Sequence, residues 1–288
     1  MIDSPVEYIR IHLPKPLDPK AELTLGISYH ILAALRPLPA SIGQLDKQYV
    51  QYDFSAYSPS AYKTSKQKTK IKFPTTNIPD YTTLAATNEG DNPTKQGNSF
   101  TYGPFDTVPA GAVELVSVRY EYTHPLLHCT LLERDVEISH WGGNLAVEER
   151  YWLMNRAAKL KKQFSRVQWQ MSLYANPPTS ALWGLRVPLK IGSANPYYTD
   201  DIGNVSTSHW RTNAREAMLE LRPRYPLFGS WKYSFKIGWD SDLKTFLKNL
   251  KGSQHYTLTT PLLEGPKMNE GITYDRVDIR VILPEGAK

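Results

Sequence analysis

The sequence predicts an all-β protein made of tandem antiparallel β-sandwich domains, with one short helix near residues 241–250. Three observations support this fold class. Apolar and polar residues alternate with a period of two in several segments, which is typical of strands buried on one face. The chain contains 22 prolines, and proline interrupts helices. Segments with helical periodicity are rare, so many short strands separated by turns favour sandwiches.

The chain is long enough for two domains or for one large β domain. It has 288 residues, of which 41% are hydrophobic and 22% are charged, as in globular proteins. We place a boundary within THPLL (123–127), where Pro125 interrupts two strand-like runs. Residues 1–126 are then the C-terminal part of a first sandwich, and residues 127–288 are most of a second.

Four segments alternate most clearly and are predicted to be strands. Leucine, isoleucine and tyrosine occupy every second position of residues 23–29. Residues 66–73 carry lysines on one face, which is typical of an edge protected against aggregation; these are Lys66, Lys68, Lys70 and Lys72. Residues 231–239 have one entirely aromatic or aliphatic face, and residues 277–283 alternate until Pro284.

The strongest helical signal is SDLKTFLKNLKG (241–252). Its apolar residues follow the i, i+3, i+4, i+7 spacing, Ser241 can cap the start, and Gly252 follows the end. We expect a three-turn helix there, with its apolar stripe formed by Leu243, Phe246, Leu247 and Leu250. Residues 155–162 could form another short helical turn.

One segment carries a modification signal. Asn204-Val205-Ser206 is the only Asn-x-Ser/Thr acceptor sequence of the chain, because proline disqualifies the triplet at Asn92. A glycan on Asn204 would require passage through the secretory pathway and a surface position. The adjacent Asp200 and Asp201 are predicted to form a turn, with Gly203 supplying backbone freedom.

Charge and cysteine content exclude several classes of function. The net charge of +6 is spread along the chain without a block of like charges, so we expect no nucleic-acid binding. Cys129 is the only cysteine, which excludes an intrachain disulfide; its apolar setting, LLHCTLL, predicts a buried small hydrophobe. The segment MIDSPVEYIR lacks the basic start, the apolar stretch and the small-residue cleavage site of a signal peptide, and no apolar run is long enough for a membrane helix.

No residue pattern predicts catalysis, a cofactor or a metal. His124, His128, Cys129 and His140 lack the paired spacing of zinc ligands. Neither a nucleophile elbow nor a phosphate-binding glycine loop is present. All seven tryptophans lie after residue 140. Trp231 and Trp239 share the apolar strand face and are assigned to the core, whereas Trp141 and Trp210 are candidates for exposed aromatic contacts.

Long strings of the sequence resemble the luminal part of the ribophorin I family, in the same order along the chain. They are LDKQYVQYDFSAYSPSAYKTSKQKTKIKF (45–73), YGPF (102–105), VEISHWGGNLAVEE (136–149), the Phe164-Ser165-Arg166 triplet, YYTDDIGNVSTSH (197–209), LELRPRYPLFGSWKYSFKIGW (219–239) and VILPEGAK (281–288).

This resemblance implies a non-catalytic subunit of the oligosaccharyltransferase complex, which transfers an oligosaccharide from a dolichol pyrophosphate carrier to asparagine at the endoplasmic reticulum membrane. The implied partners are the other subunits, including the catalytic one, and nascent polypeptides that the chain helps to present. The family has a signal sequence and a membrane helix, so we expect truncation at Met1 and Lys288 and attachment through a missing segment. Asn204 is the only functional position that transfers, as a marker of luminal orientation.

Two alternatives remain open from the residues alone. A stand-alone carbohydrate- or peptide-binding β-sandwich would use exposed rings such as Trp141 and Trp210. A luminal hydrolase would need carboxylates that converge across a cleft, which the sequence does not indicate.

Overall fold

The computed structural model describes residues 12–13, 15–84, 93–139, 141–175, 177–253, 255–268 and 271–287. The chain divides into two units, Met1–Leu32 and Ala33–Lys288. Strands dominate the second unit, and its described part contains a single α-helix, which confirms the all-β class.

In the first unit, the described residues form neither a helix nor a strand. The strand predicted for residues 23–29 is therefore wrong. Its apolar side chains are exposed, from 47% for Leu23 to 69% for Tyr29. Alternation supplies an apolar face, but a strand also needs a hydrogen-bonded neighbour, and these residues belong to no β ladder.

The second unit begins with a small sandwich. The strands described in this part of the chain are β1 (Leu35–Pro37), β2 (Ser41–Ile42), β3 (Tyr49–Ser55), β4 (Thr64–Lys72), β5 (Asp80–Tyr81), β6 (Thr94–Gln96), β7 (Ser99–Val108) and β8 (Leu115–Glu121). All of them except β2 belong to the two sheets of the sandwich. One antiparallel sheet has the order β1-β3-β8-β5, and the other has the order β4-β7-β6. A single core joins the sheets, because Val50 and Val118 of the first are buried in the same cluster as Phe100 and Tyr102 of the second.

The lysine-lined segment has the structure that its pattern predicts. Strand β4 is an edge strand, and all four of its lysines are exposed. Ile71 between them is half-buried, and Phe73 beyond the strand is 4% exposed in the core. A register shift between Gln67 and Thr69 interrupts the ladder with β7.

The larger sandwich follows. Its elements are β9 (Leu127–Ser139), β10 (Asn144–Asn155), β11 (Lys159–Leu160), α1 (Arg166–Ala175), β12 (Leu185–Leu189), β13 (Ala194–Asp200), β14 (Gly203–Asn204), β15 (His209–Thr212), β16 (Ala217–Leu221), β17 (Lys232–Asp242), a 3-10 turn (Leu243–Thr245), β18 (Leu247–Asn249), β19 (Tyr256–Leu258), β20 (Ile272–Tyr274) and β21 (Val277–Ile282).

Two sheets enclose the main core of this sandwich. The first has the order β14-β13-β17-β10-β9-β20, with β21 also paired to β9, and the second has the order β12-β16-β15. The predicted apolar face of residues 231–239 is confirmed: Tyr233, Phe235, Ile237 and Trp239 are all buried, and Trp231 packs half-buried against them. Strands β12 and β16 of the second sheet face them across the core, and each of these strands buries every second residue.

The helix predicted near residues 241–250 is only a 3-10 turn followed by strand β18. Strand β17 continues to Asp242, which pairs with Asn144, so the ladder occupies the residues of the predicted first turn. Asp242, and not Ser241, caps the turn by accepting from the Lys244 backbone N–H. The apolar positions still serve the core, because Leu243 and Phe246 are buried.

The α-helix lies elsewhere, at Arg166–Ala175, and residues 155–162 contain strand β11 and no helix. Helix α1 buries only Trp169, so its sequence lacks the apolar stripe that would have predicted it. Ser165 begins the helix, since its hydroxyl accepts from the Gln168 backbone N–H at 3.4 Å.

The last predicted strand is confirmed as β21, but two features differ from expectation. Strands β20 and β21 run parallel to β9, within sheets that are otherwise antiparallel apart from the β2–β11 pair. The alternating residues of β21 are also more than one third exposed, with Val281 at 49%. The alternation therefore predicted the strand correctly. It also predicted that one face would be buried, but no described residues cover that face.

Two buried amides hold the sandwiches together. Gln48 is fully buried; its Nε2 donates to the carbonyls of Tyr122 (2.8 Å) and His124 (3.0 Å), and its Oε1 accepts from the Ala158 N–H at 2.8 Å. Every hydrogen-bonding group of this side chain is thereby used in fixing the connection between the sandwiches.

Asn155, the last residue of β10 in the larger sandwich, is the second buried amide at this junction. Its Oδ1 accepts from the N–H groups of Leu126 and Ala157, both at 3.0 Å. Its Nδ2 donates to the carbonyls of Ser180 and Leu227, both at 2.8 Å. The chain around residues 122–127 is therefore a hydrogen-bonded junction and not a loose linker.

Candidate functional site

The acceptor sequence lies in a tight hairpin between β13 and β14, at one edge of the largest sheet. Thr199 pairs with Asn204, and Asp200 pairs with Gly203. Gly203 has a φ of +134°, a region that non-glycine residues rarely adopt, so a glycine is required at this position of the turn.

Asp200 organises the hairpin. Its Oδ1 accepts from the backbone N–H groups of Ile202 (3.0 Å) and Gly203 (3.1 Å), and its Oδ2 accepts from Arg224 Nε at 2.5 Å. The side chain is only 4% exposed. Burial opposes the charge of this carboxylate, but Arg224 and the two N–H groups together lower its pKa.

Arg224 and two tyrosines connect the hairpin to the rest of the sandwich. Arg224 Nη2 donates to the carbonyls of Gly203 (3.2 Å) and Asn204 (2.8 Å). The hydroxyl of Tyr233 lies 3.4 Å from Asp200 Oδ2 and 2.7 Å from the hydroxyl of Tyr198. Burial raises the pKa of both phenols, so both are neutral hydrogen-bonding groups.

Asn204 is presented at the surface by this framework. Its side chain is exposed, and so is Ser206, which supplies the hydroxyl of the acceptor sequence. Val205 between them is 2% exposed and belongs to the main core. The acceptor is therefore anchored by one buried side chain, while its two chemically important groups face solvent.

The two tryptophans predicted as exposed contacts lie on different elements. Trp141 is 91% exposed in the turn between β9 and β10. Trp210 lies on β15, opposite Leu219, and packs half-buried against the main core. Because one ring is at a hairpin of the large sheet and the other is in the small sheet, they do not form a continuous aromatic platform.

The histidines and the cysteine of the predicted set serve separate contacts. His128 is buried and hydrogen bonds through its ring nitrogens with Thr273 Oγ1 (2.9 Å), Asp275 Oδ2 (2.7 Å) and Arg156 Nη2 (2.9 Å). The contact with Thr273 attaches β20 to β9. Cys129 is fully buried, and burial raises the pKa of its thiol to about 11, which makes it a poor nucleophile.

His124 lies next to Tyr122, with ring centroids 5.1 Å apart, and His140 lies outside the described residues. Within the described ranges, no group of three or more histidine, cysteine, aspartate or glutamate side chains is arranged to hold a metal ion. The described helix is also too short and too polar to cross a membrane.

The sequence interpretation missed a buried ion cluster between β9 and β10. Arg134 and Glu149 are directly opposite in the ladder and are 1% and 0% exposed. Arg134 binds Glu149 through Nη1 and Glu264 through Nη2, the latter at 2.9 Å, and the Tyr151 hydroxyl donates to Glu149 at 2.5 Å. The Trp239 ring lies over the guanidinium at 5.8 Å.

Burial opposes the charge on Arg134, but Glu149 and Glu264 raise its pKa, so the guanidinium stays charged. A sequence signal did exist: Arg134 shares its strand face with Leu132 and Val136, and a charged residue on an apolar face requires a partner. The cluster is enclosed by the core, which suits a structural role better than contact with a substrate.

Comparison with known proteins agrees with the resemblance noted in the sequence. A model of the ribophorin I family matches residues 2–288. The chain is 38% identical over 279 residues to dolichyl-diphosphooligosaccharide–protein glycosyltransferase subunit 1 of Caenorhabditis elegans, covering 96% of this chain and 46% of the relative.

Two further relatives carry corresponding names. Subunit 1 of Schizosaccharomyces pombe is 33% identical, over 96% of this chain and 61% of the relative. Subunit 1B of Arabidopsis thaliana is 34% identical, over 98% of this chain and 58% of the relative. The chain thus spans 46% to 61% of the length of these curated relatives.

Proposed function

This chain belongs to the ribophorin I family, and we propose that it forms the luminal part of a non-catalytic subunit of the oligosaccharyltransferase complex at the endoplasmic reticulum. The observation that carries the proposal is the match over nearly the whole chain to relatives named as subunit 1 of this glycosyltransferase. In this role the chain scaffolds the other subunits, including the catalytic one, and helps to present nascent polypeptides.

The described side chains support a role without catalysis. The least exposed carboxylates of the described ion pairs, Asp200, Glu149 and Glu264, are each held by an arginine, and the one thiol is buried. Catalytic acids and nucleophiles must instead reach a substrate and change protonation during the reaction. These groups stabilise the two sandwiches.

Affinity purification from the native organism tests the assembly. The endogenous gene product, tagged and solubilised from membranes in mild detergent, is expected to copurify with the catalytic oligosaccharyltransferase subunit in comparable amounts. Depleting the protein is expected to lower the occupancy of acceptor asparagines in secreted reporter proteins. Recovery without the catalytic subunit, together with unchanged occupancy after depletion, would contradict the proposal.

We further propose that Asn204 carries an N-linked glycan, which its exposed side chain and rigid hairpin support. Protein secreted from a eukaryotic host is expected to lose mass on treatment with an N-glycosidase, and Asn204→Gln is expected to remove the shift. Asn92→Gln is the matched control, because Pro93 already prevents use of that triplet. An unmodified Asn204 in correctly targeted protein would exclude the modification.

A further inference from the structure

A groove lies between helix α1 and the loop that follows β16. We call it the helix groove; it has a volume of about 490 Å³, which is within the range of ligand pockets. Its principal lining residues are Arg166, Trp169 and Leu173 of α1, Trp183, and the segment Arg222-Pro223-Arg224-Tyr225-Pro226.

The walls of the helix groove are fixed by packing and hydrogen bonds. Trp169 is buried and contacts Phe228 edge to face, with ring centroids 5.6 Å apart. Gln44 of the first sandwich holds the start of α1, donating to the Ser165 carbonyl at 3.0 Å and accepting from its N–H at 2.9 Å. A partner entering the groove would therefore meet a preformed surface, which reduces the entropic cost of binding.

The helix groove is positively charged. Helix α1 contributes Arg166, the loop after β16 contributes Arg222 and Arg224, and no carboxylate is among the lining residues. The Arg222 guanidinium stacks over the Trp183 ring at 4.8 Å, which orients its donors without neutralising them. Among the residues that the structure describes, neither Arg166 nor Arg222 forms an ion pair, whereas Arg224 is held by Asp200.

Exposed apolar side chains accompany these charges in the lining. Trp183 is 42% exposed, Tyr225 and Leu173 are each 38% exposed, and Pro223 and Pro226 lie beside Tyr225 in the lining. Trp183 also borders a neighbouring cavity of about 420 Å³, whose charged lining residues are Arg186, Arg222, Lys267 and Glu220. The two cavities share Trp183 and Arg222, and in both of them basic side chains lie next to apolar ones and outnumber the single carboxylate, Glu220.

We propose that the helix groove docks an extended acidic segment of a partner polypeptide, in which carboxylates alternate with apolar side chains. Carboxylates would bind the arginines, and the apolar residues would cover Trp183 and Tyr225; arginine, tryptophan and tyrosine dominate the binding energy of protein interfaces. The proposal concerns a surface of this chain alone and goes beyond the assembly proposed above.

Two other ligand classes fit the groove less well. A phosphate group is bound by donors that converge on one point, but Arg222 is stacked over Trp183 and Arg224 is already bound to Asp200 of the acceptor hairpin. A sugar requires many neutral hydrogen-bonding groups, but in this lining the hydroxyls of Thr207 and Tyr225 already donate to backbone carbonyls, and Gln170 is the remaining amide or hydroxyl side chain. Charge spaced along apolar surface suits a polypeptide.

Fluorescence anisotropy with the purified chain tests this inference. The probe is a short fluorescein-labelled peptide in which glutamate alternates with leucine and proline, compared with peptides that carry glutamine or lysine at the glutamate positions. We expect saturable binding of the acidic peptide, weakened by added salt, about tenfold weaker binding of the glutamine peptide, and no binding of the lysine peptide.

Variants assign the binding to the groove. Arg222→Gln and Trp183→Ala are expected to weaken binding of the acidic peptide about tenfold each. Arg215→Gln, at an exposed arginine between β15 and β16, and Trp141→Ala, at an exposed ring elsewhere, are the matched controls and are expected to leave it unchanged. Circular dichroism and thermal unfolding verify that each variant is folded.

Several results would overturn the proposal: no saturable binding of the acidic peptide, equal binding of the lysine peptide, or equal affinities of the groove variants and the controls. Displacement of the acidic peptide by pyrophosphate or by a high-mannose oligosaccharide would assign the groove to those ligands instead. None of these outcomes bears on copurification with the catalytic subunit, so failure here is distinguishable from failure of the proposed function.

Discussion

Asp200 controls the acceptor hairpin without being part of the acceptor sequence. Its carboxylate binds two backbone N–H groups of the turn and Arg224. We expect Asp200→Asn to lower the free energy of unfolding by about 1–3 kcal/mol, because an amide offers one acceptor and no charge to these donors. Asp201→Asn is the matched control, since Asp201 is exposed at the same turn.

The effect of Asp200 should depend on pH. Because folding lowers the pKa of Asp200, its contribution to stability is present above its unfolded value and is lost as the pH falls through the folded value. The difference in unfolding free energy between wild type and Asp200→Asn should be constant above about pH 5 and should narrow below about pH 4. Urea unfolding of both proteins, from neutral to acidic pH, measures this difference in unfolding free energy. A difference that widens in acid would contradict a lowered pKa of Asp200 in the folded protein.

Arg134 presents the opposite situation, a charge enclosed in the core. Arg134→Met leaves the fully buried Glu149 without its cationic partner, and breaking a buried pair from one side costs about 3–5 kcal/mol. Arg150→Met is the control, because Arg150 is 40% exposed and lies 3.5 Å from Glu133; we expect a loss below about 1 kcal/mol there.

Chemical denaturation at neutral pH compares these two variants. Equal losses would mean that the buried cluster is no more important than a surface ion pair. Replacing Arg134 and Glu149 together by apolar residues should recover part of the loss, because no unpaired charge then remains at that point of the ladder.

At the scale of elements, the sequence correctly predicted the strands that follow from a local pattern of residues. The predictions were wrong where pairing between distant strands determines the secondary structure. Strand β17 and the exposed lysine row of β4 follow from alternation alone. The segment 23–29 has the same alternation but belongs to no ladder. Residues 241–250 carry a helical spacing, yet β17 extends into them, because pairing with Asn144 is a non-local interaction that outweighs propensity.

The candidate site divides in the same way. The acceptor triplet at Asn204 and the turn before it are local features and were predicted. The role of Arg224 was not, because the contacts that join it to Asp200 and Asn204 cross 24 and 20 residues of sequence. The helix groove likewise combines α1, Trp183 and residues 222–226, which no sequence pattern connects.

The lysine row of β4 leads to a prediction about solubility. An edge strand exposes unpaired backbone groups, and charged side chains prevent it from pairing with another molecule. Replacing all four lysines by threonine, a residue that favours strands, should leave the unfolding temperature almost unchanged and should promote self-association. Light scattering and analytical ultracentrifugation at several protein concentrations measure this effect.

The control for the lysine row removes the same charge elsewhere. It replaces four exposed lysines that lie outside β4, namely Lys161, Lys162, Lys244 and Lys251. If both quadruple variants associate equally, net charge explains the behaviour and the edge position does not. Association of the β4 variant alone would identify β4 as a protected edge.

At the scale of the whole molecule, we propose that the two sandwiches are structural domains that meet at residues 126 and 127, and that they unfold as one unit because their junction is fully hydrogen bonded. Each sandwich has its own core, so cooperativity must cross the junction. Gln48 is the central contact. It lies just before β3 in the first sandwich, and its side chain binds the carbonyls of Tyr122 and His124 and the backbone N–H of Ala158.

Gln48→Ala should separate the two unfolding events. The substitution leaves two carbonyls and one N–H without their buried partner, at a cost of about 1–3 kcal/mol that falls on the junction and spares both cores. Calorimetry should show one transition for wild type and two for the variant, with faster proteolysis within residues 122–127. Gln51→Ala is the control, because Gln51 lies nearby on β3 and, among the described residues, its side chain hydrogen bonds to the exposed Asp53 alone. Two unfolding steps in wild type would mean that the sandwiches are uncoupled. A single step in Gln48→Ala would mean that other contacts couple them. The four hydrogen bonds of Asn155 would then be the next contacts to remove.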